Sequence, residues 1–442
     1  MFDRTCQTPP ISGPADGLPS PSASSSPNIA NSTIIAKGWA RNSINAVIFR
    51  HNSLVTHGRR QYAAFYGRRG RVILAKRKLG SGYWEVAKTP YKGRVRDAHN
   101  SISIMVDGNG YLHMAWNQHD SPLNYCRSKA PHSLELGPPT AMTGIKERRV
   151  TYPEFHRLPD GDLIFTFRDG SSGKGNLMMN RYDSKAGTWT QLQDDLVDGQ
   201  RQRSAYHQIA IDRRGVIHLS WVWRETADVA TNHDLCYAKS PDGGRTWLRS
   251  DGSPYQLPIT AASAEYAWRI PPNSSLINQT SMAVDSSGAP CIATYWAPEG
   301  SGVPQYFVVF RQGGSWRAHQ VSRRTTPFEL GGQGTLRIPI SRPLILLAER
   351  EGRTRVYLVF RDVERGDRVS LAVCEDLHNP GWRCQDLTSE PVGAWEPTFD
   401  SELWRQKQVL HLLVQRVGQR SWERLQRLTP QPVSVLQWQP PI

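Results

Sequence analysis

Apolar and polar residues alternate in short runs along this chain, and each run follows a turn rich in Gly or Asp. Seven such runs recur: Gln61–Tyr66, Tyr111–Trp116, Asp162–Phe167, Val216–Trp221, Cys291–Trp296, Val356–Phe360 and Val409–Val414. A period of two is the mark of a strand with a buried face. The runs begin roughly 45 to 75 residues apart, the spacing of four-stranded propeller blades with added loops. No long 3.6-residue period competes with this reading. The expected fold is all-β, a single-domain seven-bladed β-propeller. Two sandwiches in tandem would need a linker near the middle, and none is visible.

Ser240–Trp247 (SPDGGRTW) fits the sialidase-type Asp-box, S-x-D-x-G-x-T-W, at every fixed position. Asp and Gly suit a tight hairpin and the Trp packs the turn onto its blade. Such a box is scaffold and speaks to fold rather than chemistry. Residues 1–35 contrast with the rest: Pro9, Pro10, Pro19, Pro21 and the serines of 22–26 predict a disordered tail, with the propeller over 36–442. No basic start followed by an apolar core is visible, and no apolar run is long enough to span a membrane. The expectation is a cytosolic protein or one whose export signal lies outside this chain.

Charge narrows the partner. The net charge is +15, carried mainly by Arg, which suggests an anionic partner. The arginines are scattered through turns, as at Arg68–Arg69, Arg148–Arg149, Arg213–Arg214 and Arg323–Arg324, without a basic stretch interleaved with aromatics. That distribution argues against nucleic acid and leaves a polyanionic sugar as the sharper reading. A monomer without membrane attachment is expected. Six Cys lack CxxC spacing and read as buried thiols, although Cys374 and Cys384 could meet across a hairpin.

Chemistry-bearing residues cluster in blades two to four. Asp97-Ala-His-Asn100 and Asn117-Gln-His-Asp120 put His99 and His119 twenty residues apart, on either side of a short strand pair that leaves and returns to one face. Tyr152 and Arg168 repeat that geometry sixteen residues apart in the third blade. The fourth blade supplies Tyr206, His207 and Arg224. His113, His218 and His411, inside apolar strands, read as structural. Polar groups recurring at one offset in neighbouring blades have a functional use more readily than a packing one.

Several phrases resemble the BNR-4 repeat family: Asp97–Asn100, Asp107–His113, Thr151–Phe155, Ser204–Tyr206, Trp221–Thr226, Asn232–Cys236, Leu276–Gln279 and Ile340–Pro343. The resemblance runs from about Asn45 to the C-terminus. That family holds seven-bladed propeller polysaccharide lyases of the ulvan lyase and rhamnosyl-glucuronate lyase types. The His–His and Tyr–Arg spacings are similar to those of its catalytic residues.

What the resemblance implies is β-elimination at a uronate. Proton loss from carbon 5 needs a cation at the carboxylate, and Arg168 suits it, with Arg224 and Arg342 as further anchors. His119 and Tyr152 are the candidates for proton transfer, the phenol's pKa lowered by nearby cations. His99 would position the carboxylate or share the acid role, and Tyr206 and His207 would bind substrate. Two alternatives stand beside the lyase: a hydrolase removing rhamnose from glucuronate through His57 on the opposite face, and a noncatalytic carbohydrate-binding propeller. No catalytic cofactor is expected; His233 and Cys236 have ligand-like spacing for a structural zinc or calcium ion. Gum arabic side chains ending in rhamnosyl-glucuronate, and sulfated ulvan, both fit the expected substrate, with the nonsulfated linkage preferred. Secretion or a periplasmic location would follow from the same resemblance.

Overall fold

A computed structural model describes residues 31–49, 52–350 and 352–440. Its strands form seven antiparallel sheets in a ring, with one short α-helix among the described residues, Ser401–Lys407. All seven alternating runs fall on equivalent strands. In blades one to six each run is the second strand from the channel: Arg60–Tyr66, Leu112–Trp116, Leu163–Asp169, Ile217–Arg224, Pro290–Trp296 and Arg353–Asp362. In blade seven it is Leu410–Gln415, bridged on its inner side at Phe399. These second strands pair on both sides, so they are nearly all buried, which is why their apolar runs were legible.

The ring is closed by the start of the chain. Asn31–Gly38 pairs antiparallel with Gln431–Trp438 and forms the outer strand of blade seven. The tail expected over 1–35 is therefore too long at its inner end, because alternation in this exposed edge strand is weak. The remaining tail residues lie outside the described ones.

The Asp-box closes as expected. Asp242 accepts from the Thr246 hydroxyl at 2.7 Å and the Ser240 hydroxyl at 2.8 Å, and Trp247 is buried with its indole N–H on the Gly244 carbonyl. Gly243 and Gly244 both have φ in the left-handed region. A related device recurs where first and second strands join: Asp107 and Asp212 each accept from turn amides, and each faces a histidine six residues on, His113 at 3.2 Å and His218 at 3.7 Å. His411 bonds Gln61. These three histidines are scaffold.

The free thiols correct the hairpin expectation. Cys384 stands opposite Ala372, whereas Cys374 stands opposite Trp382, and neither is bridged.

Inner strands all run away from the same rim of the channel. Whatever precedes a first strand and whatever follows a second strand is thereby delivered to that rim. This rule of topology, rather than sequence proximity, assembles the site.

Candidate active site

At that rim lies an open cleft of about 610 Å³, within the range of small-molecule and sugar sites. Its walls include Phe49, His99, His119, Tyr152, Arg168, Arg224, Arg342, Glu396, Trp422 and Glu423, contributed by blades one to four, six and seven. The cross-strand pairs Ile102↔Trp116, Thr151↔Arg168 and Ser204↔Arg224 bring the before-strand and after-strand residues together.

Asp97 organises the two histidines. His99 Nδ1 donates to Asp97 Oδ1 at 2.8 Å and His119 Nδ1 to Asp97 Oδ2 at 2.6 Å, and the two rings stack 4.1 Å apart. A carboxylate acceptor fixes the proton on each Nδ1, so the neutral tautomer of His119 carries its lone pair on Nε2. Glu423 adds a second carboxylate 3.5 Å from His99 Nδ1. Burial works against protonation of His99, yet the bonds to Asp97 and Glu423 outweigh it and raise its pKa to about 9. Burial and the charged His99 ring alongside push His119 below the ordinary imidazole value. Asp97, although burial pushes it up, is held far below the usual carboxylate range by the two imidazoles. At neutral pH the pair is therefore one cation and one neutral base.

Two guanidiniums lie opposite. Arg168 and Arg224 are 2% and 7% exposed. Arg168 donates to the Gly170 carbonyl at 3.0 Å and the Tyr206 hydroxyl at 3.1 Å; Arg224 donates to the Thr226 carbonyl at 3.1 Å, to the Ala227 carbonyl and to Tyr206 at 3.4 Å. Neither is within ion-pair distance of a carboxylate among the described residues; Asp120, in the same cleft, spends both oxygens on Arg149. Burying two like charges without a counter-ion is unfavourable, and an anion from outside relieves it. Ser172 completes the support at 2.6 Å from the Tyr206 hydroxyl. Tyr206 thus sits beneath the arginines as a strut.

Tyr152 occupies a bulge. The ladder skips between Thr166 and Arg168, and Tyr152 has φ 56°, a left-handed conformation rare for a bulky residue. Strain of this kind collects at functional sites. The phenol ring lies 5.1 Å from the Arg168 guanidinium carbon and edge-on to Phe49. Its pKa is raised, because burial outweighs Arg168, Arg224 and Arg342, which corrects the expected lowering. The phenol pulled down is Tyr206, where the two bonded arginines overcome burial. Tyr152 is accordingly a proton donor at neutral pH.

Geometry bears on three further expectations. His207 is adjacent to Tyr206 in the strand Ser204–Ile211, and alternation turns it away to Thr166 Oγ1 at 3.3 Å. Arg342 reaches the cleft, but Glu396 takes its fork, at 2.9 Å from Nε and 2.8 Å from Nη2, so its charge is already matched. His233 spends its ring nitrogens on Glu225 at 2.7 Å and Asp234 at 3.1 Å, while Cys236 is buried with its thiol pushed well above the usual range by burial. Among the described residues the group of three potential ligand atoms lies elsewhere, not at these two residues. Asp97, His99 and His119 bring three potential ligand atoms within 4.8 Å of one another, but both Nδ1 atoms are engaged by the two carboxylate oxygens, as in a hydrogen-bonded relay.

Sequence reasoning passed over Asp97, Glu396, Trp422 and Glu423. Asp97 had a signal, an Asp two residues before His99 whose Oδ1 also accepts from the His99 backbone amide at 2.9 Å. Trp422 and Glu423 had none, since they stand on an irregular loop more than 320 residues further on. Both have left-handed φ, 66° and 57°. Gly332 lets the Trp422 ring approach, for a Cβ there would lie 2.5 Å from it.

His57 ends the inner strand Leu54–His57 and so lies on the opposite rim. Its ring is 5.6 Å from His132, and burial, Arg157 and His132 lower its pKa to about 4. In the cleft on that side Arg157 and Arg405 pair with Glu402 and Arg214 with Asp212, while Arg213 is exposed.

Residues 60–324, well over half of the chain, match the model of the BNR repeat-containing family. The chain belongs to that family. A curated relative, the long isoform of ulvan lyase from Glaciecola sp. (strain KUL10), is 27% identical over 146 residues; the match covers 24% of this chain and only 14% of that protein. Among solved structures, polysaccharide lyase Uly1 superposes with a TM-score of 0.67 at 15% identity, covering 93% of this chain and 99% of that one. An ulvan lyase of family PL25, bound to -[GlcA(1-4)Rha3S]-, gives 0.58 at 14% identity over 81% of this chain and 96% of that one. At such identities the structural likeness speaks to the fold, a β-propeller.

Proposed function

We propose that the protein is a polysaccharide lyase that cleaves the bond to carbon 4 of a uronate by β-elimination. One observation carries this reading: two buried guanidiniums, Arg168 and Arg224, with no carboxylate of their own, face a neutral imidazole and a protonated phenol across one cleft. The arginines take the uronate carboxylate and hold the negative charge that builds on it as the carbon 5 proton leaves. His119 Nε2 receives that proton. The C5–H pair becomes the C4=C5 double bond, the C4–O4 bond breaks, and Tyr152 Oη–H supplies the proton to the departing oxygen. His99, charged and stacked on His119, adds positive potential and keeps its neighbour neutral.

The substrate we infer is a glucuronate–rhamnose polymer. Two of the named relatives are ulvan lyases, one of them bound to -[GlcA(1-4)Rha3S]-, which supports that class, and the uncompensated arginines support an acidic sugar independently. The nonsulfated and sulfated forms are separated by experiment: the protein is incubated with ulvan and with rhamnosyl-glucuronate oligosaccharides. Ultraviolet absorbance from an unsaturated uronate, with products together no heavier than the substrate, is the expected result. Free rhamnose with a gain of one water and no absorbance would replace the lyase by the hydrolase.

A further inference from the structure

Blade one carries a charge excess that the cleft does not use. Between Arg59 and Arg96 the chain has twelve Lys and Arg against one carboxylate, Glu85, so this blade holds eleven of the protein's fifteen net positive charges. Elsewhere many of the exposed and half-buried arginines have a carboxylate partner: Arg149 has Asp120, Arg181 has Asp162, Arg203 has Glu225 and Arg365 has Asp386. On blade one the ion pair is Lys76 with Glu85. Arg68, Arg69, Lys92, Arg94 and Arg96 are all exposed, and none faces a carboxylate among the described residues.

Topology gathers these cations at one end of the blade. The strand Arg60–Tyr66 runs toward the cleft rim and the turn Arg68–Gly70 caps it. Arg71, which starts the next strand, is the cross-strand partner of Lys92, which ends the outermost one. The Gly93 amide donates to the Gly70 carbonyl at 2.9 Å and ties the two turns together. From Lys92 the chain passes Arg94 and Arg96 directly into Asp97 and His99. Asn42 holds that passage to the rim through the Val95 and Arg96 carbonyls, at 2.9 and 3.2 Å. The result is a band of unmatched cations leading from the outer edge of blade one to the cleft.

We propose that this band is an outer subsite for the acidic polysaccharide, holding carboxylate or sulfate groups several sugars away from the cleaved bond. The proposal rests on the lyase reading for its substrate. Each exposed cation contributes little and is screened by salt. A polymer already anchored in the cleft meets them at high effective concentration, so their contributions combine for long chains alone.

The test uses the full chain with Arg68→Gln, Arg69→Gln and Arg94→Gln together, positions whose exposure leaves the fold intact. KM and kcat are measured on high-molecular-weight ulvan and on an ulvan tetrasaccharide, at low and high sodium chloride. The expected result is a KM for the polymer raised on the order of tenfold at low salt, an unchanged tetrasaccharide KM and kcat, and convergence of variant and wild type at high salt. An unchanged polymer KM would overturn the proposal and make the band a solvated face. Equal losses on both substrates would also overturn it. If neither substrate is cleaved by the wild type, the lyase reading fails separately, and affinity electrophoresis in ulvan-containing gels decides the subsite. There, loss of retardation in the triple variant supports it, and equal retardation, or stronger retardation by DNA than by ulvan, contradicts it.

Discussion

Arg168 is the residue on which the chemistry turns. Arg168→Lys keeps the charge but loses the planar fork shared between Gly170, Tyr206 and the cleft, so turnover should fall on the order of a hundredfold with the melting temperature little changed. His119→Ala and Tyr152→Phe should abolish most turnover while binding persists, measured as kcat lost at nearly constant KM. The pH–rate profile should have an acid limb below the ordinary imidazole value, set by His119, and an alkaline limb near the His99 pKa of about 9. Because Glu423 helps raise His99, Glu423→Gln should move the alkaline limb to lower pH; a limb that stays in place would remove Glu423 from the relay. The sign for stability is the same. A histidine raised from 6.5 to about 9 on folding stabilises the fold fully below pH 6.5 and ceases to as pH rises through 9. At this scale the sequence was legible for His99, His119, Tyr152 and Arg168, since each flanks a strand of readable alternation. It was not legible for the pairing of Arg342 with Glu396, which lies 54 residues on, or for the phenol pKa, which depends on burial that no local pattern records.

At the scale of elements, strand ends matter more than strands. The bulge at Tyr152 breaks alternation, and without it the phenol would follow the pleat. His207 was misjudged for the complementary reason: its strand is regular, so the neighbour of an inward Tyr206 must point elsewhere. The Asp-box was legible because its hydrogen bonds are local. Asp242→Ala removes the acceptor for Ser240 and Thr246 and should lower stability by about 1–3 kcal/mol, read from denaturant unfolding, with kcat unchanged. The closing strand was hidden, since its partner Gln431–Trp438 lies at the other end of the chain. Truncation through Gly38 exposes the edge of that partner and should lower the melting temperature markedly. An unaltered melting temperature would mean that blade seven holds without it.

The whole molecule is a ring with two rims, and the charges in their clefts differ. On one rim Arg168 and Arg224 are buried without a carboxylate at ion-pair distance, and blade one adds a band of exposed cations; on the other, Arg157, Arg214 and Arg405 are matched by acids, while Arg59, Arg60, Lys78 and Arg213 stand exposed. Propeller topology explains why residues from all seven blades, spread from Ser43 to Glu423, reach one cleft. Repetition made the ring readable, whereas the loop bearing Trp422 and Glu423 has no repeat and no periodicity. The central claim is that elimination occurs on the rim of Arg168 rather than that of His57. The direct measurement is the initial rate of unsaturated-uronate formation by wild type, His119→Ala, Arg168→Lys and His57→Ala on one glucuronate–rhamnose polymer. The account predicts near-complete loss in the first two variants and a wild-type rate in His57→Ala. Loss of activity in His57→Ala, with His119→Ala and Arg168→Lys tolerated, would contradict it.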